Sequence, residues 1–303
     1  MTDNISNKIR ELRPNLSNSS VKTYTSILWN LYKKIFDDGD IDFNNFNNKK
    51  LFLKYLEKYE PQKRKTYLTA LTIITGDKDY RDLMISDSKA CENELLKNEK
   101  NKKQEDNWLT SEDINNVIEK HKIIFDELFN KPINELTDRE FQNMQTYIIL
   151  CLTTGKYFQP RRSMDWTEFK IKNFDLDTEN YMIKNRNCYK MYFNIYKTKK
   201  VYGTQNLIIC DELKDILDKW YRVIEIKYPE CDYLLIDKNQ NKLNSSKINQ
   251  RFEVIFGKKA SVNILRHAYV SSKYDNLPNL QELKNDADCM GHSLEMHLMY
   301  HKN

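Results

Sequence analysis

Four segments of the chain hold side chains whose types and spacing suit the handling of a phosphate ester. QPRRSMDW (159–166) sets two arginines beside a turn, where forked guanidinium groups can chelate phosphate oxygens or pair with Asp165. Between Asn180 and Cys210 there is no Asp or Glu, but there are Lys184, Arg186, Lys190, Lys197, Lys199 and Lys200. The chain as a whole has 49 basic and 44 acidic residues, so this segment reads as a footprint for a polyanion or as a lysine-rich surface hairpin. SVNILRH (261–267) places Asn263 and Arg266 three apart on one helical face, with Ile264 and Leu265 turned inward. In MGHSLEMHLMY (290–300), His292 and Tyr300 bracket a short helix, and Tyr300 taken alone reads equally well as a packing residue.

Together these groups could break a phosphodiester without metal. That reaction needs a nucleophile, neutralisation of the phosphorane charge and a proton for the leaving oxygen. A phenol with a pKa near ~10 serves as nucleophile and later as leaving group, so its ester keeps the bond energy for rejoining. The six glycines form no phosphate-binding loop, and no acidic cluster of the two-metal kind stands beside these residues. The expectation is therefore no cofactor, no metal and no ATP.

The elements that must position these residues are mostly helical. Ser19 or Ser20 caps a helix with Val21, Tyr24, Leu28, Leu31 and Ile35 on one face. Residues 37–48 read as a loop, a second helix runs from Lys50 to Tyr59, and a third starts at Pro61 and stops at Gly76. This bundle presents Lys22, Lys33, Lys34, Lys63, Arg64 and Lys65 to solvent. Charged residues 89–107 read as a linker, which divides the chain into a helical DNA-binding bundle, 1–107, and a catalytic domain, 108–303. In the second domain Thr110 and Thr137 open helices with capping boxes, and the second of these ends at Gly155. Alternation around Tyr181–Ile183, Tyr189–Ile195 and Leu207–Ile209 predicts three strands, and the rest is helical apart from an apolar stretch at Tyr233–Ile236. The fold class is mostly α with a small three-stranded antiparallel sheet.

Other classes fall away. The start MTDNISNKIR has no apolar region of a secretory signal, and the apolar run YIILCL (147–152) is far short of the ~18 residues of a membrane span. The six cysteines lack zinc-ligand spacing and read as reduced thiols of an intracellular protein.

In this order the four segments resemble the catalytic domain of the tyrosine recombinases, the phage-integrase family. That pattern is an Arg after a helix ending in T-G, a Lys in a β-hairpin, H-x-x-R, then G-H and a Tyr. Here T-G is Thr154-Gly155, and Arg162 fits the first arginine because Asp165, Trp166 and Phe169 follow it at +3, +4 and +7. Lys197 matches the hairpin lysine, with Lys199 and Lys200 as competitors. NILR (263–266) holds Asn263 and Arg266, and the G-H and Tyr are Gly291-His292 and Tyr300. The resemblance implies that Arg162, Lys197, Asn263, Arg266, His292 and Tyr300 are catalytic. Arg161, Lys199, Lys200, Lys184, Arg186 and Lys190 would then contact DNA.

The implied activity is site-specific recombination or integration through a 3′-phosphotyrosyl intermediate. A type IB topoisomerase-like strand transferase and an inactive DNA-binding relative are the alternatives. The implied partners are double-stranded DNA and further copies assembled on it as a dimer or tetramer, with no membrane. The double arginine after a proline resembles members from viruses and mobile elements, which implies a place with DNA in a host nucleus or cytoplasm. Three departures stand out: Arg162 lies seven residues past Gly155, Asn263 replaces a histidine, and His292 and Tyr300 are eight apart. The chain also stops three residues after Tyr300, without the further helix of many relatives, so the free protein is expected to be monomeric.

Overall fold

Proline and glycine set the ends of the third predicted helix of the N-terminal bundle. Pro61 stands in its first turn, where a missing N–H costs nothing, and Gly76 ends it in the left-handed conformation at φ 69°. The structure, a computed structural model, describes residues 2–36, 41–96, 100–185, 188–273 and 280–300. Its contacts divide the chain into Met1–Lys97 and Asn98–Asn303.

The first unit contains α1 (Thr2–Leu12), α2 (Asn18–Phe36), α3 (Lys49–Leu56), α4 (Pro61–Thr75) and α5 (Lys78–Leu96). Its core gathers Ile5, Ile9, Leu28, Leu31, Phe46, Phe52, Leu68, Leu71 and Tyr80. The polar stretch read as loop contains a 3-10 turn at Phe43–Asn47, because Phe46 is fully buried and packs against Tyr32 and Phe52. Arg64 differs from its expected exposure: it forms a bidentate pair with buried Asp87, Nη2 to Oδ1 at 2.6 Å and Nε to Oδ2 at 2.8 Å, tying α4 to α5. α5 carries helix into the start of the expected linker, as far as Leu96.

The second unit begins with α6 (Lys102–Asp106), α7 (Ser111–Phe129) and α8 (Asp138–Thr153). Thr110 and Thr137 make the expected capping boxes, with Asp113 and Glu140 reaching back to the cap N–H. The apolar run inside α8 is buried all round, from Met144 through Thr153. There Gln145 brackets Ile236, donating to its carbonyl at 2.8 Å and accepting its N–H at 2.6 Å. Then follow α9 (Ser163–Thr167), β1 (Phe169–Lys170), β2 (Asn180–Lys184), β3 (Tyr189–Phe193), α10 (Lys199–Tyr202) and β4 (Gln205–Ile208). Helices α11 (Asp211–Lys227), α12 (Ser245–Phe256), α13 (Val262–Lys273), α14 (Leu280–Met290) and α15 (Leu294–Leu298) complete it. Among the described residues no helix is long and apolar enough to cross a membrane.

The sheet corrects the expectation of three antiparallel strands. It has four, in the order β1-β2-β3-β4, and β1 pairs with β2 in parallel. Two residues are too few to show alternation, and only the ladder Phe169 to Asn180 and Lys170 to Tyr181 reveals that strand. Asn180, fully buried, binds it to its surroundings: its amide donates to the carbonyls of Asp165 and Ile195, and its oxygen accepts the N–H of Asn194 and Ile195. The loop that leaves β3 with Lys197 is thus held at its root.

Candidate active site

The T-G stop of α8 seats a second helix. Gly155 has φ 89°, and a Cβ there would lie 2.2 Å from the Tyr269 ring, so α13 packs where no other residue fits. Three residues before Tyr269 on that helix is Arg266, only 2% exposed. Its Nη1 donates to the Tyr300 hydroxyl at 2.9 Å, its Nη2 meets His292 Nδ1 at 2.8 Å, and its Nε donates to the Pro160 carbonyl at 3.2 Å. These partners are a phenol, an imidazole and a peptide carbonyl, none of them a carboxylate. Burial pushes the Arg266 guanidinium below its ordinary pKa, and the nearby charge of Arg162 pushes the same way.

Tyr300 is held from several sides. Its ring lies edge-on to His267 at 4.7 Å and to His292 at 5.0 Å, and its carbonyl accepts from His267 Nδ1 at 3.1 Å. Ser293 caps α15 by accepting the Met296 N–H, and the Tyr300 N–H closes a turn onto the His297 carbonyl. An eight-residue spacing from His292 therefore still delivers the hydroxyl to Arg266.

The two neighbouring arginines separate. Arg161, expected to contact DNA, is instead fully buried. Its Nε pairs with Asp165 at 2.8 Å, its Nη1 donates to Gln205 and to the Cys289 carbonyl, and its guanidinium lies 4.0 Å from the Phe193 ring centroid. Its ion pair is made with a buried carboxylate rather than at the surface. Arg162 is half-buried, donates to the Gly291 carbonyl at 3.3 Å, and acts electrostatically on both Arg266 and His292. The structure thus brings Arg162, Arg266, His292 and Tyr300 together.

Lys197 is exposed, but its neighbours are anchored. The Tyr196 hydroxyl donates to the Gly203 carbonyl, and Thr198 Oγ1 donates to the Gly291 carbonyl at 2.5 Å. Gly291 thus binds both the lysine loop and Arg162. Lys199 is drawn inward to Asn194 and Thr204, whereas Lys200 stays exposed. Asn263 is exposed on α13, and among the described residues no hydrogen bond joins it to Arg266.

The basic hairpin is acid-free in sequence but not in space. Asp218 on α11 pairs with Lys184 at 3.1 Å and accepts from the Tyr189 hydroxyl, while Lys184 also lies 3.9 Å from the Tyr221 ring centroid. That lysine is partly neutralised. Lys190 lies half-buried on β3, 5.4 Å from the Tyr192 ring centroid, and Arg186 lies outside the described residues.

Sequence reasoning missed His267, His297, Gln205 and Thr198. His267 and His292 lie against the Tyr300 ring and His297 against His292, and the crowding of histidines around the two motifs was the available signal. His297 is fully buried, and its Nδ1 lies 2.9 Å from His292 Nε2. Burial, then the charges of Arg266, His297 and Arg162, pushes His292 down to about 2. Burial likewise lowers His297 to about 4, with Asp286 opposing and Lys273 and Arg266 reinforcing the shift.

Both imidazoles are neutral in the folded chain at pH values where an unfolded histidine, near ~6.5, takes up a proton. The unfolded state then binds more protons, so this stability is whole above that pH and is lost as pH falls toward the folded values. The slope is about 1.4 kcal/mol per pH unit for each histidine. Thermal melts from about pH 7 down to about pH 4.5 are expected to show this loss, and the His297→Asn variant should lose roughly half the slope. A melting temperature that holds steady across the range would contradict the neutral pair.

No protein-family model and no curated protein matches the chain. Solved structures do. The XerH site-specific recombinase bound to its difH substrate in a pre-cleavage complex matches with a TM-score of 0.58 at 15% identity, over 99% of this chain and 81% of that one. The Tn1549 transposon integrase in complex with transposon right end DNA matches with a TM-score of 0.53 at 14% identity, over 100% and 95% of the two chains. The fold of this chain is that of the tyrosine recombinases.

Proposed function

We propose that this protein is a site-specific DNA recombinase or integrase that cleaves and rejoins duplex DNA through a 3′-phosphotyrosyl intermediate on Tyr300. The observation that carries the reading is the contact of Arg266 with Tyr300. A buried guanidinium whose hydrogen-bond partners among the described residues are uncharged stands 2.9 Å from a phenol, with Arg162 close enough to act on it electrostatically. Such a pair suits the charge that develops on a phosphorane.

In the proposed step the Tyr300 oxygen forms the bond to phosphorus, and its proton leaves to solvent. The bond from phosphorus to the 5′-oxygen breaks, and Lys197 protonates that oxygen. Arg162 and Arg266 hold the non-bridging oxygens. Rejoining runs the same steps in reverse, with the 5′-hydroxyl as nucleophile. No step calls for metal or ATP. Asn263, exposed at the start of α13, is a hydrogen-bond donor to the DNA backbone in this scheme, and it cannot move protons. Lys190, Lys199 and Lys200 add basic charge along the hairpin. The helical unit of residues 1–97, with Lys22, Lys33, Lys34, Lys63 and Lys65, grips the duplex, and further copies assemble on the same DNA. The recombinase and integrase structures matched above are DNA complexes, which supports duplex DNA as the partner.

The test is a nicked suicide duplex incubated with the full chain in EDTA and without nucleotide, followed by peptide mass spectrometry. A covalent adduct on Tyr300 is expected. An adduct on another residue, or none with any duplex drawn from a randomised pool, refutes the reading.

A further inference from the structure

We propose that His297 is a positioning residue: it fixes the tautomer of His292 and, through it, the orientation of Arg266. The inference rests on the reading of Arg266 and Tyr300 as phosphate clamp and nucleophile. Its physical basis is the polarity of a hydrogen-bond chain. A guanidinium only donates, so His292 Nδ1, 2.8 Å from Arg266 Nη2, must offer its lone pair. The one proton of the neutral imidazole then sits on Nε2. That N–H faces His297 Nδ1 at 2.9 Å, which must accept it. The alternative tautomer would set an N–H of His292 against an N–H of Arg266. Both histidines are almost wholly buried, 2% and 0% exposed, so water does not readily replace a lost bond.

The short helix between the Gly-His and Tyr300 therefore has a second task. Its backbone holds His297 by the bond from the His297 N–H to the Ser293 carbonyl at 2.9 Å. From there the imidazole reaches back to His292. Since both nitrogens of His292 are engaged within the protein, the charge on a phosphate falls to Arg266 and Arg162, and His292 serves to aim Arg266. Orienting partners of this kind change activity by about 10- to 100-fold when removed from metal sites, where the same tautomer logic applies.

Two variants separate an acceptor from mere bulk. Asn at 297 puts its Oδ1 near the place of the imidazole Nδ1 and can accept, whereas Leu fills volume without accepting. Single-turnover cleavage of a suicide duplex is compared for wild type, His297→Asn and His297→Leu, with duplex binding and the 15N NMR signature of His292 recorded on each full chain. Wild type and His297→Asn are expected to carry the His292 proton on Nε2 and to cleave within about 3-fold of each other. The Leu variant is expected to lose the single tautomer and to cleave about 10- to 100-fold more slowly, with unchanged duplex affinity. A His292 proton on Nδ1 in the wild type overturns the proposal whatever the cleavage result. So does equal slowing by Asn and Leu. If wild type forms no adduct, the functional reading fails separately and the wild-type tautomer still decides the positioning role; should the Leu variant not fold, wild type and His297→Asn carry the comparison.

Discussion

Replacing Tyr300 by Phe is expected to abolish covalent attachment to DNA while leaving a folded protein that binds duplex within a few-fold of wild type. The ring is what packs against His267 and His292, and Phe keeps the ring. The hydroxyl is what would bond to phosphorus, and Phe lacks it. Its removal also leaves Arg266 Nη1 without its acceptor, a loss of about 1–3 kcal/mol for a buried charged donor. The melting temperature should therefore fall modestly, and the adduct should vanish from a gel that resolves it readily for wild type. A Phe variant that still becomes attached would move the nucleophile elsewhere. A Phe variant that fails to fold would recast Tyr300 as a core residue.

The second large effect divides adjacent arginines by kind rather than degree. Arg161→Ala leaves Asp165 buried beside a hole, since Arg161 is its ion-pair partner and both are almost wholly inaccessible. Breaking such a pair by deleting one member costs about 3–5 kcal/mol, which lowers the melting temperature by roughly 10 °C in a unit of this size. Burial already pushes the Asp165 carboxyl above its usual range, and without Arg161 it would rise further. Arg162→Ala removes a half-buried side chain whose one described hydrogen bond goes to a carbonyl, so its stability should change by less than about 1 kcal/mol. Its cleavage rate should fall about 100- to 1,000-fold, the cost of removing one donor from an oxyanion site. Calorimetry and single-turnover cleavage on both variants check this together. An Arg161 variant that melts like wild type, paired with a fully active Arg162 variant, would reverse the two roles.

Much of the scaffold was legible because it is written locally. Capping boxes at Thr110 and Thr137, the Pro61 start and the Gly76 stop depend on residues a few positions apart, and each stands as expected. The resemblance favoured Arg162 over Arg161 as the first arginine of the motif, through the register of Asp165, Trp166 and Phe169, the last two of which are fully buried. What spacing could not reveal was how the remaining charges are spent. Arg161 is neutralised by a neighbour four residues away, but its fixed burial comes from Gln205 on β4 and a carbonyl at the end of α14. The basic hairpin looked free of acid until α11 supplied Asp218. β1 escaped notice because two residues carry no period and a parallel partner lies across a loop.

The residue types and their order were enough to point to the proposed chemistry: a phenol, forked cations and a lysine loop, arranged along the chain in one readable sequence of motifs. The tertiary structure decided which hydrogen atom points where. Tautomers and the direction of a hydrogen bond depend on what stands within about 3 Å, and the four residues between His292 and His297 say nothing of that until α15 folds the second ring back onto the first.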